Sequence, residues 1–431
     1  MGKLTYVKSA SQLLCMDTGH GPRTGKGMSM LGIIADGSVV IEDGIIVFAG
    51  SDALAAQFLG TRRGEVEVID ASGKVVAPGL VDPHTHVVYA GSRENELELR
   101  LQGEKYTDIL QRGGGILNTA RSTREASEEE LIRQALTRLD RFLLHGVTTI
   151  EAKSGYGLTV KDELKQLRAA RELDRRHPID VVPTFMGAHA VPEEYRSHPE
   201  SYVNLVIEEM LPAVAERGLA EYCDVFCEQG VFDIAESGRI LEAAERLGFK
   251  LKIHADEIAK NFGGAELAAK LEAVSAEHLL KTSEEGIRAL AKSGTIAVLL
   301  PGTALFLMER AADARSMIDG GVAVALSTDC NPGSSPTVSM PFIMNAACLT
   351  MRMTPAEVLV ASTINAAHAI GRGNEIGSIE TGKRGDLVLF DVSNYRQLQY
   401  YYGMNLVHTV IKNGRTVVKG GVLVDRNEPA D

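Results

Sequence analysis

The sequence predicts an α/β protein: a (β/α)8 barrel of the TIM type, joined to a small β-sandwich domain formed by both chain ends. Two observations carry this. The middle of the chain alternates short apolar runs with amphipathic helical stretches, and no G-x-G-x-x-G follows the first run, which counts against a doubly wound open sheet. The two ends, by contrast, carry a repeated hairpin pattern that lies outside this alternation.

In chain order the apolar runs are 80–86, 148–153, 181–185, 223–228, 251–256, 273–278, 296–301 and 324–329, each bounded by turn residues or a helical pattern. Of the helices between them, one opens at Ser127-Glu128-Glu129-Glu130, read as a capping box. It continues with Leu131, Ile132, Ala135, Leu139 and Phe142 on one face and stops at Gly146. Another opens at Thr354-Pro355-Ala356-Glu357, with Pro at the first helical position, and closes at Gly371. At the ends, residues 38–50 form two β-rich runs around Asp43-Gly44, and residues 406–424 repeat the pattern around Asn413-Gly414. The expected division is a small β domain from residues 1–76 and 376–431 around a barrel of residues 77–375, because the ends of a barrel can lie close together.

The composition removes several classes of function. With 45 Lys+Arg against 57 Asp+Glu among 431 residues, the net charge is -12, which opposes nucleic-acid and anionic-membrane partners. A small acidic ligand is still allowed, since one local Arg can bind it. The 5 cysteines are scattered and form no C-x-x-C pair, so neither a disulfide framework nor a zinc knuckle is expected. The N-terminus lacks the apolar segment of a secretory signal, and the longest apolar stretch, 296–308, is broken by Pro301, Gly302 and Thr303. A cytoplasmic protein is expected, and closed-symmetry base rates favour a homodimer.

Where the titratable residues fall is more specific. The first run ends in His84-Thr85-His86, the fifth leads through His254, the sixth ends in His278 and the eighth in Asp329. Barrel enzymes place their chemistry at the C-terminal strand ends, and residues two apart on a strand face the same way, so these side chains should converge. Three imidazoles and a carboxylate suit one borderline divalent metal with a position open to water. His20, His145, His177, His198 and His408 carry no such pattern and read as ordinary residues, as does His368 in the helix after the last strand. Gly113-Gly114-Gly115 lacks the Lys-Ser/Thr of a phosphate loop and reads as a turn or a flexible lid.

Val81-Asp82-Pro83-His84-Thr85-His86, His254-Ala255-Asp256-Glu257 and Ser327-Thr328-Asp329 resemble the amidohydrolase superfamily. Several further segments resemble its imidazolonepropionase family over essentially the whole chain: Tyr89-Ala90-Gly91-Ser92-Arg93, Gly113-Gly114-Gly115-Ile116, Lys153-Ser154-Gly155-Tyr156-Gly157, Gly187-Ala188-His189 and Asp329-Cys330-Asn331-Pro332-Gly333-Ser334. The resemblance implies hydrolysis of 4-imidazolone-5-propanoate to N-formimidoyl-L-glutamate in histidine degradation, with one zinc or iron ion held by His84, His86, His254 and Asp329. Binuclear members of the superfamily can use a Lys on strand four; this chain has Phe226-Cys227-Glu228 there, and Lys153 ends strand two instead as a structural charge.

Asp329 and Glu257 are the expected base and acid, in either order, and His278 the expected donor to a developing oxyanion or an orienter of a ligand. The propanoate needs a fixed cation, which the resemblance assigns to Arg93 with Tyr106 helping. It places Tyr156, His189, Glu257, Asn331, Gly333 and Ser334 around substrate or product. The rival reading is a deaminase of guanine or cytosine type, whose neutral base would not need the Arg93 clamp.

Overall fold

The computed structural model describes residues 3–17, 19–60, 62, 65–104 and 114–424. Its centre is a ring of parallel strands: β1 (Leu80–Asp82), β2 (Val147–Lys153), β3 (Asp180–Ala188), β4 (Tyr222–Cys227), β5 (Lys250–Ala255), β6 (Ser275–His278), β7 (Ile296–Leu299) and β8 (Val324–Leu326). Each pairs with the next in chain order, so the expected parallel barrel is present. All seven residues of β2 and all six of β4 are buried, which explains why these runs lack the alternation of a half-exposed strand.

The last seam closes beyond the strand ends. Asp329 donates its N–H to His84 O at 3.1 Å, and His86 donates its own to Cys330 O at 2.9 Å. The buried Asp82 carboxylate strengthens the seam, accepting from Thr328 Oγ1 at 2.6 Å and from Ser327 Oγ. Closing the barrel and setting Asp329 against His84 are thus one event.

The helices follow their signals with two corrections. Ser127 caps Glu128–Leu144 by accepting the Glu130 N–H at 3.2 Å, but the return half of the expected capping box is absent. The Glu130 carboxylate instead accepts from Arg133 and Gln134 one turn on. The helix opened by Thr354 does form both halves of its box, yet it does not run unbroken to Gly371. It ends at Ala361 and resumes as Ile364–Ala369. At the break, the Ser362 carbonyl turns to accept the N–H of Val81 in β1 at 3.0 Å, satisfying a barrel strand that would otherwise lack a partner there.

Both chain ends build two further sheets. One holds Ile45–Ser51, Gly37–Glu42, Leu4–Ala10 and Val66–Asp70; the other runs from Val422–Leu423 through Arg415–Lys419, Val407–Lys412, Leu387–Phe390, Val75–Pro78 and Gln12–Leu14 to Ile33–Ile34. Between them lies an aliphatic core that includes Val7, Val39, Ile41, Val76, Leu387 and Ile411. The opposite ends pair where Val75–Pro78 lies antiparallel to Leu387–Phe390. Both expected hairpins form, with Asp43-Gly44 and Asn413-Gly414 all at positive φ, as a type I′ turn requires. The two turns meet at Gly385, whose N–H reaches Gly44 O at 2.7 Å and whose carbonyl accepts from Gly414 at 2.9 Å.

Val75–Pro78 passes into β1 through Gly79, where a Cβ would collide with the Thr148 side chain. This direct passage seats the sandwich against the bottom of the barrel, away from the strand ends that carry the histidines. Among the described residues, no helix is long and apolar enough to cross a membrane.

Candidate active site

His84 and His86 extend from the end of β1, and their rings lie 5.4 Å apart. His254, in β5, brings its ring to 4.5 Å from His84, and His278, closing β6, to 5.6 Å from His84 and 5.1 Å from His254. Asp329 Oδ1 lies 3.4 Å from His84 Nε2 and 3.8 Å from His86 Nε2. Two overlapping donor sets result, His84–His86–Asp329 and His84–His254–His278, with His84 common to both. The expected ligands thus gather around His84, and His278 joins them beside His84 and His254. His278 and Asp329 both adopt positive φ, a strained backbone state that clusters at functional sites.

Burial, the largest influence, holds the imidazoles of His84, His86 and His254 well below their ordinary pKa, so they carry lone pairs rather than charge. The Nδ1 atoms of two of them are anchored. His84 Nδ1 donates to Glu277 Oε2 at 2.8 Å and His254 Nδ1 to Asp224 Oδ1 at 3.1 Å, which directs each Nε2 inward. His84 Nε2 is buried without a hydrogen-bond partner. An orphaned acceptor at the centre of neutral imidazoles and a carboxylate fits a divalent cation, so the donor set suits the implied metal.

Beneath the histidines lies a buried charge cage. Lys153 Nζ is 2.6 Å from Asp224, 2.8 Å from Glu151 and 3.2 Å from Glu277, and Lys252 Nζ is 3.1 Å from Glu151. Burial works against the charge on Glu277, but Lys153 and Lys252 outweigh it and hold the carboxyl below its usual range. Lys153 is therefore a structural charge here, while its partners Glu151, Asp224, Lys252 and Glu277 were not singled out from the sequence. The signal was present: Glu151-x-Lys153 and Lys252-x-His254 place polar residues two apart on otherwise apolar strands, which aims them together into the barrel.

His86, His254, His278 and Asp329 form one wall of a cavity of about 500 Å³, large enough for a small heterocycle. Glu257, Tyr156, His189, Arg93, Asn331 and Ser334 all line it. Burial, reinforced by Asp329, raises the Glu257 carboxyl to about 8. Burial raises Asp329 to about 7, opposed by its 2.7 Å hydrogen bond from Thr303 Oγ1. His189 stacks on His86 at 4.8 Å and donates from Nδ1 to Gly155 O at 3.0 Å, turning Nε2 away from that bond.

Asn331 uses both ends of its amide on its own loop, donating to Asp329 O at 2.7 Å and accepting from the Gly333 and Ser334 N–H groups at 2.8 Å. Gly333 lies behind the cavity wall, where a Cβ would run into the Arg93 guanidinium. Tyr106 and Gly113 lie outside the described residues. Arg100, a further guanidinium on the wall, escaped the sequence reading although it sits seven residues past Arg93, on the same helical face.

Comparison with known proteins places this geometry. The model of the amidohydrolase family matches residues 75–417. An imidazolonepropionase of Shouchella clausii is 59% identical over 429 residues, covering 99% of this chain and 96% of that protein. Another, of Geobacillus sp., is 60% identical, covering 97% and 99%. Among solved structures, a zinc-bound adenosine deaminase from Xanthomonas campestris has a TM-score of 0.70 at 18% identity, covering 98% of this chain and 94% of that one. E. coli guanine deaminase has a TM-score of 0.70 at 15% identity, covering 96% and 99%. The deaminases share the fold alone; by sequence this chain belongs to the amidohydrolase family, in its imidazolonepropionase branch.

Proposed function

We propose that the chain hydrolyses 4-imidazolone-5-propanoate to N-formimidoyl-L-glutamate, a step of histidine degradation, by opening the ring at the C–N bond beside its carbonyl. The observation that carries this reading is the buried guanidinium of Arg93 in the same cavity as the histidine–aspartate cluster. One end of the pocket suits a carboxylate and the other a polarised carbonyl, and the names of the relatives fit both.

His84, His86, His254 and Asp329 would hold one zinc or iron ion. When bound, such an ion supplies a water of lowered pKa and a Lewis acid for the carbonyl. Asp329, beside that centre, takes the proton of the attacking water. Glu257, kept protonated at neutral pH by its burial, returns a proton to the departing ring nitrogen. His278 donates to the oxygen that gains charge. Arg93 binds the propanoate end-on, and Tyr156 and His189 flank the ring and exclude water from it.

The test is to incubate metal-assayed protein with 4-imidazolone-5-propanoate and follow the loss of the ring's ultraviolet absorbance, with guanine and cytosine in parallel. Turnover of the imidazolone alone is expected. Ammonia release from either base without ring opening would replace this reading with a deaminase. The same metal assay distinguishes zinc from iron and gives their number per chain, and sedimentation tests the homodimer.

A further inference from the structure

The guanidinium that faces the cavity is held from behind by the carboxylate of Glu96. Arg93 Nε donates to Glu96 Oε2 at 2.9 Å, and the other oxygen, Glu96 Oε1, accepts the backbone N–H of Gly115 at 2.9 Å. Glu96 lies in the first turn of the helix Glu94–Leu101, three residues past Arg93, so both side chains share one face. Gly115 has φ +66 and precedes the helix Ile116–Glu125. Arg100, on the same face as Glu96, donates from Nη2 to Gly333 O at 3.2 Å, and the Arg93 guanidinium rests on that same glycine. Arg93, Glu96 and Arg100 are each 7% exposed, so none of these bonds is diluted by bulk water.

One carboxylate therefore ties the cavity-facing arginine to a turn that comes from a different part of the chain. With Nε bound to Glu96, the plane of the guanidinium is fixed relative to the helix Glu94–Leu101. An arginine side chain loses rotamer freedom when it is ordered, and here the bond to Glu96 removes part of that freedom before any ligand arrives. We propose that Glu96 is the positioning residue of the subsite for the substrate's side-chain carboxylate, and that the preference for an anionic over a neutral side chain depends on it. The proposal rests on the role given to Arg93 above.

Steady-state kinetics on the metal-loaded full chain test it, with two substrates: the propanoate and the same imidazolone carrying an uncharged propanamide. For Glu96→Gln, KM for the propanoate should rise about tenfold, kcat should stay within about twofold, and kcat/KM for the propanamide should not change. An unchanged KM for the propanoate, or an equal loss on both substrates, would overturn the proposal. Should Glu96→Gln not fold, Glu96→Asp keeps the charge but is one methylene too short to reach both Arg93 and Gly115; a raised KM is again expected, and a normal one is fatal. Arg93→Ala separates the two levels of the argument. If it spares KM for the propanoate, the substrate reading fails; if it raises KM while Glu96→Gln does not, only the role of Glu96 fails.

Discussion

The two interiors of this molecule are built on opposite principles. Between the sandwich sheets lie Val7, Val39, Ile41, Val76, Leu387 and Ile411, part of an apolar filling that also takes in Cys15. Inside the barrel, directly under the histidines, lie Glu151, Lys153, Asp224, Lys252 and Glu277, all fully buried. The first interior gains stability from removing apolar surface from water. The second gives up some of that gain, because desolvating charges is costly and their mutual attraction offsets the cost only with good geometry. What it obtains is direction: Glu277 and Asp224 turn His84 and His254, and the two lysines oppose the loss of charge that burial imposes on those carboxylates. The sandwich holds the barrel, while the barrel's own core aims the chemistry.

If that contrast holds, damage to the two regions should separate activity from stability. The largest effect is expected for Asp329→Asn, which keeps the shape but removes the proposed base and metal ligand. Its kcat should fall by on the order of 10²–10⁴-fold or more with little change in the denaturant midpoint, measured with the metal content. Lys153→Met should damage both, since it leaves buried carboxylates uncompensated: a loss of about 3–5 kcal/mol by chemical denaturation, accompanied by weaker metal retention on dialysis. Leu387→Ala in the sandwich should cost about 2–5 kcal/mol yet leave kcat and KM of the folded fraction unchanged.

The smallest effect sharpens the comparison by pH. In the role proposed above Glu257 acts in its protonated form, so activity should be retained below its pKa and lost as pH rises through it. That value is about 8 in the metal-free protein and lower with a cation nearby. The rate profile should fall on the alkaline side by up to about tenfold per pH unit, and the fall should vanish from the residual activity of Glu257→Gln.

The barrel was legible because its strands are buried on both faces and its helices carry caps, so the alternation survives in one dimension. The convergence of His84, His86, His254 and Asp329 was legible for a related reason: the last residues of parallel strands all point to one rim. The break at Ser362 and Thr363 was not, because only the Val81 N–H waiting below explains it. The charge cage escaped because each charged residue, read alone on its strand, looks like an isolated exception; it becomes a pattern only when the strands stand side by side. Glu96 escaped because its bond to Gly115, which sets it apart from an ordinary i,i+3 pair, joins residues whose proximity no spacing rule conveys.

The pairing of Val75–Pro78 with Leu387–Phe390 also bears on how this molecule comes into being. The segment that leads into β1 is made early, but its neighbour leaves the ribosome roughly 300 residues later, on the order of tens of seconds at ordinary translation rates. Until then an edge rich in valine has no mate, and the nascent chain depends on chaperones or on fast barrel assembly to keep it from associating with other chains.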